Sequence, residues 1–324
     1  EIGDCNSGDS EFLYSYTSYT EPKSYFSGDL TSRDFKILFE PSKNFDASMY
    51  ETQQVWYTSK DGTKIPMFIL KKKGLVLNGK NPAYLYGYGG FSINKTPEFS
   101  SSYIALLEQG VVIAIPNLRG GSEFGEEWHR AGMMMKKQNV FDDFIAAAEY
   151  LIDEKYTSSE KLAIAGGSNG GLLVGACMTQ RPDLFKVALP AVGVMDMLKY
   201  QKFTIGWGWV PEYGSSDQSQ SMFKYLLGYS PYHNIKKKVK YPATLVTTAD
   251  HDDRVVPSHS YKFTANLQAK AKKSNPSLIQ IYKDSGHGAG KPIHQKIEET
   301  ADIWSFFLWN VGLKSLTLPN QATK

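Results

Sequence analysis

Gly166-Gly167-Ser168-Asn169-Gly170 sets a serine among glycines at the spacing G-x-S-x-G. A serine hydroxyl is a weak nucleophile, so it must be exposed and served by a base before it can attack anything. The flanks provide for exposure: the apolar run 161–166 reads as a strand entering the serine, and 169–180 reads as a helix leaving it. Glycines remove the side chains that would collide across so sharp a turn. The serine oxygen then lies beside a helix N-terminus, whose N–H groups favour developing negative charge. The plain alternative is a Gly-rich helix entry with an inert serine cap, which the strand before it and the helix after it argue against.

Such a serine needs a carboxylate and a histidine, and in this arrangement they follow it in the chain. ADHDDRVVP (249–257) follows the apolar run 243–248, and DSGHGAGKP (284–292) follows 278–282. Both therefore fall at the C-terminal ends of strands, where α/β sites gather. Of six histidines, His287 alone combines that position with a Gly-rich loop; His129, His233, His251, His259 and His294 do not. Position does not separate Asp252 from Asp253. The expected chemistry is proton transfer from Ser168 to His287, an acid that orients the imidazole, and an acyl-enzyme that water hydrolyses. H-E-x-x-H, G-x-G-x-x-G and Walker patterns are absent, so neither metal nor cofactor is expected.

The elements that must hold these residues begin at residue 82. Strand-like runs at 82–86, 111–115, 161–166, 186–190, 243–248 and 278–282 alternate with helical patterns near 98–109, 140–154, 169–180, 258–272 and 295–311. Nearly continuous apolar strands between amphipathic helices predict a doubly wound, mostly parallel sheet covered on both faces. Before it, 55–58 and 65–70 flank Asp61-Gly62, a dipeptide suited to a tight hairpin because both positions tolerate positive φ. Residues 11–40 read as two or three aromatic strands, too few to bury a core unaided.

Composition narrows the classes. The 324 residues are 41% hydrophobic and 21% charged with a formal net charge of +3, as in a globular protein. The lysine runs 71–73 and 236–238 are short and separated, each read as a solvated face, so no nucleic-acid partner is expected. No run of 18 apolar residues predicts a membrane span, and the polar start EIGDCNSGDSEF does not read as a signal peptide. Cys5 and Cys177 are far apart, and Cys177 sits in an apolar helical stretch that suits a buried reduced thiol.

YGYGGF (86–91), NLRGGSEFGEEWHRAG (117–132), GGSNGG (166–171), DHDDRVVP (250–257) and GHGAGKP (286–292) together resemble the catalytic domain of the prolyl oligopeptidase family. The resemblance runs from about residue 10 to the end and implies an α/β-hydrolase fold. It makes Asp252 the triad acid, and it makes Arg254 a donor to the peptide upstream of the cleaved residue. Tyr88 becomes the side-chain oxyanion donor, beside the backbone N–H of Asn169. Trp209 becomes the indole that stacks on a prolyl ring, with Phe91, Val194, Tyr213 and Val255 completing the pocket, and Trp207 the weaker candidate. It further implies that residues 1–42 are the remnant of the last blade of a β-propeller and 43–324 the hydrolase domain. The rest of that propeller, part of the same protein, would then be a partner.

The resulting expectation is a serine peptidase acting on short peptides at the carboxyl side of proline, placed in the cytoplasm or, for a bacterial relative, the periplasm. A transpeptidase or peptide macrocyclase of the same family is the nearest rival. A general esterase or lipase is disfavoured by Arg254 and Trp209, since a lipid site has little use for a buried arginine. A non-catalytic binding module on the same scaffold would be free to lose a triad member, whereas all three are present.

Overall fold

Between residues 83 and 310 the chain alternates strand and helix as the apolar rhythm demands. The computed structural model describes residues 2–3, 8–288 and 291–313; Cys5, Ala289 and Gly290 lie outside them. The strands are β1 (Glu11–Tyr16), β2 (Ser24–Asp29), β3 (Phe35–Phe39), β4 (Tyr50–Thr58), β5 (Lys64–Lys72) and β6 (Ala83–Tyr86), then β7 (Val112–Pro116), β8 (Leu162–Gly167), β9 (Val187–Ala191), β10 (Ala243–Ala249) and β11 (Ser277–Tyr282). The helices are α1 (Ser101–Glu108), α2 (Glu126–Arg130), α3 (Gln138–Asp153), α4 (Asn169–Gln180), α5 (Val210–Tyr213), α6 (Gln220–Tyr229), α7 (Ser258–Lys270) and α8 (Ile293–Asn310). α5 and α6 fall in 191–242, a stretch where apolar periodicity marked no element.

Eight strands form one sheet in the order β11-β10-β9-β8-β6-β7-β5-β4. β6 to β11 run parallel, while β5 pairs antiparallel with both β4 and β7. Period-two alternation sends successive side chains to opposite faces. Leu162 and Ile164 of β8 join the core that contains Phe141, Phe144 and Leu172, whereas Ala163 and Ala165 join the one that contains Leu107 and Phe307. Helices α3 and α4 therefore cover one face and α1 and α8 the other. The topology also fixes the site: β8, β10 and β11 are parallel, so Ser168, Asp252 and His287, which follow them, emerge at the same edge of the sheet.

The β4–β5 hairpin differs from its expectation. Its last pair is Thr58 with Lys64, leaving a five-residue connection in which Gly62 has positive φ and Asp61 does not. Asp61 is instead drawn toward Arg119, whose guanidinium reaches it at 2.5 Å and reaches Asp143 of α3 at 2.6 Å. Lys71 also departs from the solvated face expected of its run: it is buried in β5 and paired with Glu51 of β4, because strand alternation turns it inward. β1, β2 and β3 make a separate antiparallel sheet, all five residues of β3 being exposed. Tyr19, between β1 and β2, is buried and meets Phe68 of β5 edge-on at 5.6 Å.

Arg119 ties the hairpin to α3 and to the loop after β7. Asp143 is fully buried, and burial pushes its carboxyl up while the guanidinium and Ser59 pull it down. Arg119→Met leaves that carboxylate without its cation, and the expected loss is about 3–5 kcal/mol of unfolding free energy. Urea denaturation measures it, and an unchanged midpoint would show that the cluster is not a stabilising tie.

Candidate active site

Ser168 occupies a conformation that few side-chain-bearing residues adopt, φ 58° and ψ −117°, between β8 and α4. Such strain persists only where the surroundings impose it. Here its N–H donates to Ala191 O of β9 at 2.9 Å, and its carbonyl accepts from Gly171 and Leu172 at 2.9 and 3.2 Å. A Cβ on Gly166 would stand 2.4 Å from Gly170 O, and one on Gly170 would stand 2.6 Å from Gly87 O. These two glycines let β8, α4 and the loop after β6 close around the serine.

Asp252 is 2% exposed and Asp253 is exposed, a difference the sequence positions do not reveal. Asp252 Oδ1 accepts from the N–H groups of Arg254 and Val255 at 3.0 and 2.9 Å, and its Oδ2 lies 2.6 Å from His287 Nδ1. With a carboxylate as partner, Nδ1 carries the proton and Nε2 is left as the basic nitrogen. The two loops are tied by the His251 N–H to Ser285 O at 3.1 Å and the Asp250 N–H to Tyr282 O at 3.1 Å. His259 has a different environment: its Nδ1 accepts from the Asp196 N–H at 3.1 Å, and burial pushes its pKa down to about 4, so the ring stays neutral.

The loop 87–91 carries Tyr88. Burial raises the phenol's pKa and nearby Tyr86 adds to the rise, while hydrogen bonding with Ser168 and the Arg254 charge pull it down. A neutral phenol facing the serine results. Asn169 does more than contribute its N–H from the first turn of α4, because its side chain donates to Tyr88 O at 2.5 Å and accepts from Tyr213 OH at 2.9 Å. Two residues not anticipated from sequence also hold this loop: Lys137 donates to Gly89 O at 2.7 Å, and Glu212 Oε1 accepts from the Phe91 N–H at 2.9 Å. A buried lysine among three methionines and another lysine carries no local signal of such a contact.

Phe91 meets Tyr213 edge-on at 5.4 Å, and Tyr213 meets Tyr200 likewise at 5.4 Å. Trp209 stacks on Tyr200 at 6.2 Å with 11° between the rings, while Trp207 is 68% exposed. Val194 and Val255 are buried in the same cluster. Tyr200, which no spacing rule singled out, is thus the support behind Trp209. Arg254 is exposed, so the argument against a lipid site from a buried arginine does not hold; the residue follows Asp252 in an open loop.

A cavity of about 390 Å³ lies against α1 and α8, lined by Tyr19, Tyr84, Tyr86, Phe99, Tyr103 and Trp304 among others, and its walls include no triad member. The reactive constellation therefore lies outside this cavity. Asp250, His251 and Asp284 bring ligand atoms within 4.8 Å of one another at the surface, but His251 is already bonded to Asp250 at 2.7 Å. Among the described residues no helix is long and apolar enough to cross a membrane.

The profile of the prolyl oligopeptidase family, Peptidase_S9, matches residues 97–314. A prolyl endopeptidase of Elizabethkingia meningoseptica is 53% identical over 94% of this chain and 43% of its own length. The dual function macrocyclase-peptidase POPB of Galerina marginata is 42% identical over 95% of this chain and 43% of its own. The solved structure of prolyl oligopeptidase B from Galerina marginata, bound to a 35mer hydrolysis and macrocyclization substrate, superposes with a TM-score of 0.92 at 41% identity, covering 98% of this chain and 45% of that one. The chain thus spans less than half the length of the relatives it matches.

Proposed function

The chain belongs to the prolyl oligopeptidase family, and from that premise we propose that its α/β-hydrolase domain cleaves short peptides on the carboxyl side of proline. The observation that carries this reading is the 2.6 Å contact between Asp252 and His287, at the same sheet edge as the strained Ser168. In the proposed mechanism His287 Nε2 takes the Ser168 proton as the oxygen attacks the scissile carbonyl. Asp252 holds the ring through Nδ1 and stabilises the imidazolium. Negative charge on the carbonyl oxygen is met by the Tyr88 phenol and the Asn169 N–H, donors already in place before reaction. The imidazolium then protonates the leaving amine, and water attacks the acyl-enzyme by the same route in reverse.

Proline preference is assigned to Trp209 with Phe91, Val194, Tyr213 and Val255. A flat aromatic wall suits a rigid ring that brings no N–H to satisfy. Arg254, whose charge is felt at Tyr88, is assigned to the peptide upstream of the prolyl residue. The test compares succinyl-Gly-Pro-amide with its Gly-Ala analogue on the full-length protein. Trp209→Ala is expected to lower kcat/KM for the prolyl substrate by about 10- to 100-fold, with a much smaller change for the alanyl one. Equal losses on both substrates would remove Trp209 from the pocket.

Residues 1–42 are read as the remnant of a propeller blade and 43–324 as the hydrolase domain. Support comes from β3, whose Phe35, Ile37, Leu38 and Phe39 are all more than half exposed, an apolar strand in need of a cover. The cover proposed is the remaining propeller of the same protein. A cytoplasmic location is supported by the use of only two cysteines in 324 residues. The macrocyclase-peptidase relative favours a second reading, transfer of the acyl group to a peptide amine, and mass spectrometry of the products distinguishes a ring from a linear acid.

A further inference from the structure

The neighbouring helices α2 and α3 and the distant α5 converge behind the loop that carries Tyr88. Lys137, at the entrance to α3, is 1% exposed, and Glu212 of α5 is 5% exposed. The two lie 3.7 Å apart, and the other oxygen of Glu212 lies 2.8 Å from His129 Nε2 of α2. Their remaining bonds go to the loop backbone, Lys137 to Gly89 O and Glu212 to the Phe91 N–H. Between those two points a Cβ on Gly90 would stand 2.9 Å from Lys137 Nζ and 2.7 Å from Asn169 Nδ2, so the backbone is gripped with no room for a side chain.

We propose that Lys137 and Glu212 form a buried clamp that positions the loop 88–91, holding the Tyr88 phenol where the oxyanion develops and Phe91 at the pocket wall. The clamp rests on the peptidase reading of the site. Neither residue touches the reacting atoms, so both are positioning residues that act through Tyr88 and Phe91.

The energetics argue that the ammonium is not there for stability. Burial pulls its pKa from 10.5 down to about 8, and Glu212 offsets this only in part. A folded-state pKa below the unfolded one means that the group's contribution to stability is fullest above the ordinary lysine pKa and is lost as pH falls through about 8. At neutral pH the fold therefore carries a charge that an apolar side chain of similar length would spare it. The titratable groups packed around it are Glu212 and Tyr213 from α5, His129 behind Glu212, and Tyr225 of α6, which bonds the adjoining Gln138 N–H. Burial raises both phenols, leaving them neutral, so the charged partner facing the ammonium is the Glu212 carboxylate.

The test uses the full-length protein with Lys137→Met and Glu212→Gln, each alone and combined with Tyr88→Phe, on a Gly-Pro amide. Lys137→Met is expected to lower kcat by about 30- to 100-fold with KM changed less than about threefold. In the Tyr88→Phe background the same replacement is expected to lower kcat by less than about threefold, because the donor it positions is already gone. Wild-type kcat is expected to fall as pH passes about 8, where the ammonium loses its proton. Glu212→Gln keeps an acceptor for Phe91 but removes the charge that supports the ammonium, so that alkaline fall moves to lower pH. Should Lys137→Met fail to show a cooperative unfolding transition, the Glu212→Gln cycle with Tyr88→Phe decides alone. Equal losses with and without Tyr88, or an alkaline limb that does not move, overturn the clamp while leaving the peptidase reading intact. A wild-type protein without Ser168-dependent turnover overturns both.

Discussion

Ser168→Ala is expected to lower prolyl-amide turnover by about a million-fold and to abolish labelling by a fluorophosphonate. The size follows from what is lost: the nucleophile itself, so that Asp252 and His287 have no hydroxyl to activate. What is expected to survive is the background from binding and from the proposed oxyanion donors, Tyr88 and the Asn169 N–H. The fold should be unaffected or slightly relaxed, since alanine is no better suited than serine to φ 58° but sheds a polar group. Turnover persisting in the variant would assign the chemistry to another residue. A wild-type protein that neither turns over nor labels would favour a binding module on this scaffold.

Asp252→Asn is expected to lower kcat by about 10,000-fold while leaving the backbone in place. Asp252 Oδ1 accepts from Arg254 and Val255 N–H groups, a task an amide oxygen performs equally well. That fixes the amide's NH2 toward His287, in the position where Oδ2 now lies 2.6 Å from Nδ1. An NH2 donates rather than accepts, so Nδ1 must lose its proton and Nε2 must take it. The nitrogen proposed to take the serine proton is then no longer a base. Unfolding midpoints close to wild type with kcat unchanged would show that tautomer control is not the acid's role. The same replacement at exposed Asp253 should leave kcat near the wild-type value, which separates the two aspartates by experiment.

Much of this site is legible in local chemistry. Ser168 announces itself because strand, glycine-flanked turn and helix are contiguous, and G-x-S-x-G encodes the close approaches that Gly166 and Gly170 permit. His287 stands out because a Gly-rich loop after an apolar strand is a short-range feature. The parallel sheet is readable for the same reason: β6 to β10 are buried almost throughout and appear as apolar runs between helical periods, and the partly exposed edge strand β11 keeps an apolar run as well. The hairpin was legible as a hairpin but not as a five-residue connection, since Asp61 answers to Arg119, 58 positions away.

Other features have no local signature. Which of two adjacent aspartates turns inward depends on where β11 delivers His287. Phe91 and Glu212 are separated by 121 positions, Lys137 and Gly89 by 48, and Tyr213 and Asn169 by 44. Hydrogen bonds over such spans leave no periodicity behind, so their members read as an ordinary glutamate, lysine or tyrosine. Tyr200 behind Trp209 and the exposure of Arg254 belong to the same class. By itself, then, the sequence determined the order of the parallel strands, the candidate nucleophile and its candidate histidine, and the family. Those depend on contacts within a few residues, on sheet-burial patterns, and on motif blocks in a set order. Only the tertiary structure showed which of the two aspartates is buried against His287, what holds the Tyr88 loop and what stands behind Trp209. Those contacts depend on parallel strands bringing distant loops to one edge, where side chains choose partners by distance rather than by sequence.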